Sequence, residues 1–239
     1  MEDIERYGDY NEIDEPPGGK KSIIFTVIKI MVALAIVAVV GVLGFRIYFF
    51  NYYPDSMKNI YFTEGITSYY NEKNGEINAL TQNLRAPYDD ADKGNFFCDN
   101  LIVFKDIGEL QVSLRYNVSV IENMEKTLGL SGLSADDTEL LSFRLYKSGE
   151  SQNIEDHLIG TLATEPITDS KLMYRYYKLA FSDIDFGEGD DKIEWIRLEV
   201  FVKGQPEDSE PFAKIAIYED NENYSSFSEY KLSKGERPQ

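Results

Sequence analysis

Residues able to carry covalent or metal chemistry are scarce in this chain. His157 is the only histidine and Cys98 the only cysteine. A Ser-His-acid or Cys-His mechanism would have to recruit them, and together they fall short of a tetrahedral zinc cage. No Gly-x-Ser-x-Gly elbow and no Gly-rich phosphate loop occurs. Ser228 and Lys231 satisfy Ser-x-x-Lys, in which a lysine can activate a serine, but the partner motifs of that chemistry are missing. Cys98 follows Phe96-Phe97 at the start of a strand-like run and reads as a small buried thiol. The expectation is a non-enzyme without a cofactor.

Oxygen ligation is the one metal chemistry that composition permits. Asp89, Asp90 and Asp92, with Asn95, make one acidic loop; Asp183, Asp185, Glu188, Asp190 and Asp191 make a second, and Glu219, Asp220 and Glu222 a third. Clustered carboxylates between strands can hold Ca²⁺, but none of the three has the spacing of an EF-hand loop, so solvated acidic turns are the better reading. A binding platform is the other candidate. Tyr69, Tyr70, Tyr174, Tyr176 and Tyr177 could stack on a sugar or peptide, against the plainer reading of aromatic core and cross-strand packing. Asn117-Val118-Ser119 and Asn223-Tyr224-Ser225 are glycosylation sequons only in a eukaryotic secretory pathway.

What must position these residues starts with a membrane anchor. Between Ile23 and Phe50 only Lys29 and Arg46 are charged, and residues 30–45 carry no polar side chain. As a helix this stretch runs ~42 Å, more than the ~30 Å hydrocarbon core of a bilayer. Lys29 and Arg46 sit toward opposite ends, where long stems can lie along lipid while the charges reach headgroups. Tyr48 and Tyr52 fall where an interfacial aromatic belt belongs, and Pro54 stops the helix. A cleavable signal fits poorly, because the leader is long and acidic and no small-x-small site follows the apolar run. Lys20, Lys21 and Lys29 precede the core, against Arg46 and Lys58 after it. That bias keeps the N-terminus inside and the C-terminal domain outside.

The flanks differ. Residues 1–21 begin with an acidic, aliphatic-poor run ending in Pro16-Pro17-Gly18-Gly19 and read as a disordered cytoplasmic tail. Residues 22–50 are the anchor, 51–58 a juxtamembrane stalk, and 59–239 an extracytoplasmic domain. The chain holds 24 basic and 42 acidic residues, a formal charge of −18, most of it beyond the anchor. Such a surface repels nucleic-acid backbones.

In that domain the dominant period is two. Leu110, Val112, Leu114, Tyr116, Val118 and Val120 alternate with Glu109, Gln111, Ser113, Arg115, Asn117 and Ser119, which predicts a strand over 109–121 with one dry and one wet face. Residues 100–104 precede it across a turn and suggest a hairpin. Further strands are expected at 140–147, with Leu141, Phe143 and Leu145 inward, and at 157–162, 173–181, 192–203, 211–218 and 227–232. Leu198, Val200 and Val202, and Ala213, Ile215 and Ile217, form the apolar sets of two of them. Residues 57–84 are ambiguous: Asn74-Gly75 suggests a hairpin, while Ile77, Leu80 and Leu84 fit a helical face. Ser134 and Asp137 can start a short helix. The fold class is mainly β: one transmembrane helix, then an antiparallel β-sandwich of immunoglobulin-like or jelly-roll outline.

These readings imply a single-pass plasma-membrane protein that displays a non-catalytic sandwich. Its partners would be the lipid bilayer and another envelope protein or glycan, with no nucleic acid, in a role of binding, adhesion or envelope assembly. A lone thiol in an exported domain points to a bacterial surface, since oxidising compartments of eukaryotes favour disulfides. The alternatives are a sensor or regulatory subunit that signals through the acidic tail, and an envelope hydrolase built on His157 or a carboxylate pair.

Overall fold

The structure, a computed structural model, describes residues 19–82, 84, 96–148, 157–187, 193, 195–206, 208–219 and 228–232. The chain divides into two units, Met1–Tyr52 and Tyr53–Gln239.

The first unit contains helix α1, Gly19–Asn51. Its 26 residues Ile23–Tyr48 are long and apolar enough to cross a membrane, and none of them is buried. Its apolar side chains are spread around the helix instead of along one face, the distribution expected of a helix that crosses a bilayer.

The second unit is mainly β. Short helices α2 (Asp55–Lys58) and α3 (Glu64–Glu72) precede strands β1 (Ile77–Gln82), β2 (Phe96–Phe104) and β3 (Glu109–Asn117). Helix α4 (Val120–Leu128) follows, then β4 (Leu141–Ser148), β5 (His157–Leu158), β6 (Thr161–Leu162), β7 (Ile167–Lys171), β8 (Tyr174–Ser182), β9 (Trp195–Val202), β10 (Ala213–Glu219) and β11 (Ser228–Leu232). One sheet runs β11-β1-β2-β3-β8-β6, with β7 also paired to β8; the other runs β10-β9-β4-β5. All pairings are antiparallel.

The two sheets bury their facing sides in a common core. Leu110, Val112 and Leu114 of β3 and Leu179 and Phe181 of β8 meet Leu141, Phe143 and Leu145 of β4, Leu198, Val200 and Val202 of β9, and Ala213, Ile215 and Ile217 of β10. Every residue expected inward on β4, β9 and β10 is there. On β2 the alternation changes phase. A bulge between Asp99 and Ile102, with Asn100 at φ 46°, lets Cys98 and Leu101 both face the core although they are an odd number of residues apart.

Elsewhere the structure corrects local readings. The strand expected over 109–121 ends at Asn117, whose side chain accepts from the Ser119 N–H. Val120 and Met124 then face the core from α4 with Ile121 and Leu128 beside them, a helical spacing hidden by the preceding alternation. Asn74 and Gly75, at φ 56° and 89°, close the end of α3 and lead into β1; they do not turn a hairpin. Ser134 and Asp137 form a turn, not a helix: the Asp137 N–H bonds the Ser134 carbonyl at 3.1 Å. The strand expected over 157–162 is two short strands in different sheets, with the chain crossing between them at Gly160 (φ 66°). Strand β7 is an element the sequence patterns did not indicate.

The largest difference concerns the residues that follow α1. The segment 51–58, expected to be a stalk, is not free chain. From Tyr53 onward it lies on the outer side of the larger sheet, with Tyr53, Pro54 and Met57 buried and Met57 fully so. The supposed wet face of β3 is therefore covered: Glu109, Gln111, Ser113 and Arg115 are all buried.

Candidate functional site

The strap formed by residues 53–63 is held on the sheet by that buried polar row. At one end the Tyr61 N–H donates to Gln111 Oε1 at 2.9 Å, and Gln111 Nε2 donates back to the Tyr61 carbonyl at 2.6 Å and to Glu109 Oε1 at 3.0 Å. Thr63 Oγ1 donates to Glu109 Oε2 at 2.7 Å while accepting from the Ile66 N–H at 3.1 Å, which caps α3. Burial pushes the Glu109 carboxyl above its usual range, and the bonds from Gln111 and Thr63 partly oppose this.

Midway, the Met57 carbonyl accepts from Ser113 Oγ at 2.5 Å and from Lys178 Nζ at 3.3 Å. Ser113 and Lys178 are cross-strand partners of β3 and β8, which brings both donors to one acceptor. Lys178 is 2% exposed. Desolvation lowers its pKa to about 8, against a smaller pull from the Asp99 charge. At the far end the Arg115 guanidinium lies 5.0 Å from the Tyr53 ring, 5.4 Å from Phe97 and 5.4 Å from Tyr174. Tyr53 also meets Tyr176 edge-on at 5.2 Å. Burial raises the Tyr53 hydroxyl's pKa well above the phenolic range.

One consequence can be measured at Thr63. Thr63→Ala removes the cap of α3 and a hydroxyl bond to a buried carboxylate, and is expected to cost about 2 kcal/mol in urea denaturation, whereas Thr63→Ser should stay near wild type. Equal losses in both variants would assign the effect to the threonine methyl group.

Beside the strap, the second unit contains an open recess of about 290 Å³ whose walls include Asp136, Asp137, Thr138, Asp169, Arg175 and Tyr177. Its carboxylates are engaged. Asp136 pairs with Arg175 at 2.7 Å, Asp137 with Lys203 at 2.8 Å, and Asp169 accepts from Ser56 Oγ at 2.9 Å. The Lys203 hydrogen bond, more than any other contact, holds the Asp137 carboxyl below its ordinary range. This arrangement offers hydrogen bonds to a small polar group, on the scale of a sugar ring or a peptide side chain. The sequence did not reveal it, because its walls come from the α4–β4 connection, β7 and β8 and meet only in the fold.

The residues singled out by sequence fall in several places. Asp183 (φ 62°) accepts from Thr161 Oγ1 and Ser182 Oγ, and Asp185 accepts from the Gly187 N–H, so both serve turns. Asp89, Asp90, Asp92 and Asp190 lie outside the described residues, as do Asn95, Glu188, Asp191, Asp220, Glu222 and Asn223. Among the described residues no group of three or more His, Cys, Asp or Glu is arranged to hold a metal. His157 and Ser228–Lys231 lie on strands β5 and β11. Cys98 is buried, and burial pushes its thiol pKa up, which suits an inert core thiol.

The tyrosines do not form one platform. Tyr177 joins the sandwich core and Tyr176 lies under the strap, on the opposite face of β8. Tyr69 is buried on α3, where its hydroxyl donates to Asp106; burial and that bond raise its pKa to about 12. On helix α1, Lys29, Arg46 and Tyr48 are exposed, and the Tyr48 ring lies 6.2 Å from that of Tyr52 just beyond the helix. Compared with known proteins, the chain matches no protein family, no curated protein and no solved structure.

Proposed function

We propose that this chain is a single-pass plasma-membrane protein, N-terminus inside, that presents a non-catalytic β-sandwich on the outer side of a bacterial envelope for binding, adhesion or assembly. The observation that carries the reading is the recess beside the strap. Its walls carry the exposed residues Thr138, Thr168 and Ser170 beside the paired Asp136 and Arg175, a surface able to hydrogen-bond a polar ligand. The apolar span Ile23–Tyr48 supports the anchor, and the lysines ahead of it support the orientation. A lone buried thiol suits an exported domain in a lineage that makes few disulfides. The partner is a protein or glycan with hydroxyl, amide or amine groups to offer.

Photo-crosslinking tests this. A crosslinking residue at Thr138 or Thr168, both exposed on the recess, is expected to give a discrete protein or glycan adduct in intact cells. The same residue at Asp208, exposed and absent from the recess lining, should not. Identical adducts from all three positions would remove the recess as the contact. Turnover of an envelope polymer by the full-length chain, lost on substituting His157, would replace the binding reading with a hydrolytic one.

A further inference from the structure

The smaller sheet carries a basic and aromatic outer face on a chain whose formal charge is −18. With Phe143, Leu198 and Ile215 turned into the core, alternation puts Arg144, Arg197 and Lys214 on the opposite side, together with Trp195 and Phe201. Arg144 and Lys214 flank Glu199 in register from either side. Glu199 is already engaged, since Arg197 Nε and Nη2 donate to its Oε1 at 3.2 and 2.8 Å. Lys214 pairs with Glu210 at 2.6 Å. Three cations against two carboxylates leave this face positive.

Arg144 is the cation left over. It is exposed, and no ion pair among the described residues uses it. Its guanidinium lies 4.5 Å from the centre of the Phe201 ring, a contact that holds the plane from one side. The N–H fork then remains for an incoming carboxylate, whose two oxygens match it.

Trp195, the only tryptophan, is half-buried on the same face. It stands four residues along β9 from Glu199, the partner of Arg144, which is about 13 Å by strand geometry. Its ring offers a flat apolar surface to the C–H side of a sugar. An extended acidic peptide would add at a strand edge, where backbone groups are unpaired, whereas a sheet face recognises through side chains alone. The chain as a whole repels anions, but charges beyond about 8 Å are largely screened at physiological ionic strength, so the local cations decide. From these observations we propose that the outer face of β4, β9 and β10 binds a carboxylate-bearing glycan, with Arg144 on a carboxylate and Trp195 under a sugar ring further along. This face shares no residue with the recess, so the two sites stand or fall separately.

The test is calorimetry of the full-length protein in a polyoxyethylene detergent, titrated with a short oligogalacturonate. Saturable binding is expected, accompanied by a shift in Trp195 emission. Arg144→Gln should weaken it about tenfold, and Arg144→Lys should recover part of the loss, since the charge returns without the fork. Arg144 is exposed, so both variants should keep the wild-type melting temperature. Lys126→Gln removes an exposed cation from α4 and should bind as wild type. An equal loss in Lys126→Gln would make the effect one of net charge and overturn the site, as would binding that leaves Trp195 emission unchanged. A neutral glucan of the same length bound as tightly would remove the role of the carboxylate, and polyglutamate bound as tightly would remove that of the sugar. Either result overturns the proposal, as does the absence of oligogalacturonate binding at millimolar concentration.

Discussion

Replacing Lys178 with methionine is expected to abolish a rise in stability that the wild-type chain shows above pH 8. In the unfolded chain the lysine titrates near 10.5, and in the fold near 8. Below pH 8 both states carry the proton, and the folded state bears the full cost of a desolvated ammonium. Between pH 8 and 10.5 the fold has released the proton while the unfolded chain still binds it, so raising the pH favours folding. The difference between the two pKa values corresponds to about 3 kcal/mol over that window. Other groups oppose the trend. The Cys98 thiol, raised by burial, erodes stability above its unfolded value of 9.0, and Tyr53 and Tyr116 do so above 10.0.

The informative quantity is therefore the wild-type minus Lys178→Met difference, followed by urea denaturation from pH 7 to 9. Methionine has a similar unbranched shape, and the Met57 carbonyl keeps its bond from Ser113. At pH 7 the variant should be the more stable by about 1–2 kcal/mol, after about 1 kcal/mol for the lost hydrogen bond. Parallel curves for the two proteins would mean that the lysine reaches water.

Arg115→Ala should have the opposite sign and a comparable size. Arg115 is 5% exposed, and its guanidinium lies among Tyr53, Phe97 and Tyr174. Each cation–π contact in such a setting is worth about 0.5–2 kcal/mol, and truncation also leaves a gap between three rings. A loss of about 3 kcal/mol is expected, with Arg115→Lys recovering part of it, since an ammonium keeps the charge but not the stacked plane. The strap should loosen first. Limited proteolysis is expected to cut within residues 55–63 at denaturant concentrations where the sandwich core still resists. A uniform loss of resistance would show that the strap and the sandwich unfold as one unit.

Arg115 stands on a face of β3 that sequence periodicity assigned to water, and Lys178 lies on the neighbouring strand opposite Ser113 of that face. Alternation at Leu141, Phe143 and Leu145, at Leu198, Val200 and Val202, and at Ala213, Ile215 and Ile217 led directly to the core. On these strands one side faces the other sheet. The opposite side of β9 carries half-buried Arg197, paired at 2.8 Å with Glu199, which is itself buried. On β3 the same pattern identified the core side correctly and misread the other, because a polar side chain satisfied by a partner is as buried as an apolar one. The partners there are the Met57 and Tyr61 backbone and the Thr63 hydroxyl, about fifty residues earlier in the chain.

Tyr176-Tyr177-Lys178 carried the one local hint, a lysine inside an otherwise core-like run. The recess had no local signature at all, since Asp136, Asp169 and Arg175 acquire their meaning from each other. The long apolar helix needed no such help. Residues Ile23–Tyr48, uncharged except for Lys29 and Arg46, are long and apolar enough to cross a membrane by length and composition alone, because the transfer of apolar side chains from water to lipid is summed residue by residue. The strand-rich class was equally local, written in a period of two. What became of 53–63, and which polar residues it covers, depended on contacts between distant segments. Those contacts rest on hydrogen-bond complementarity, which exists only once both partners have been brought together.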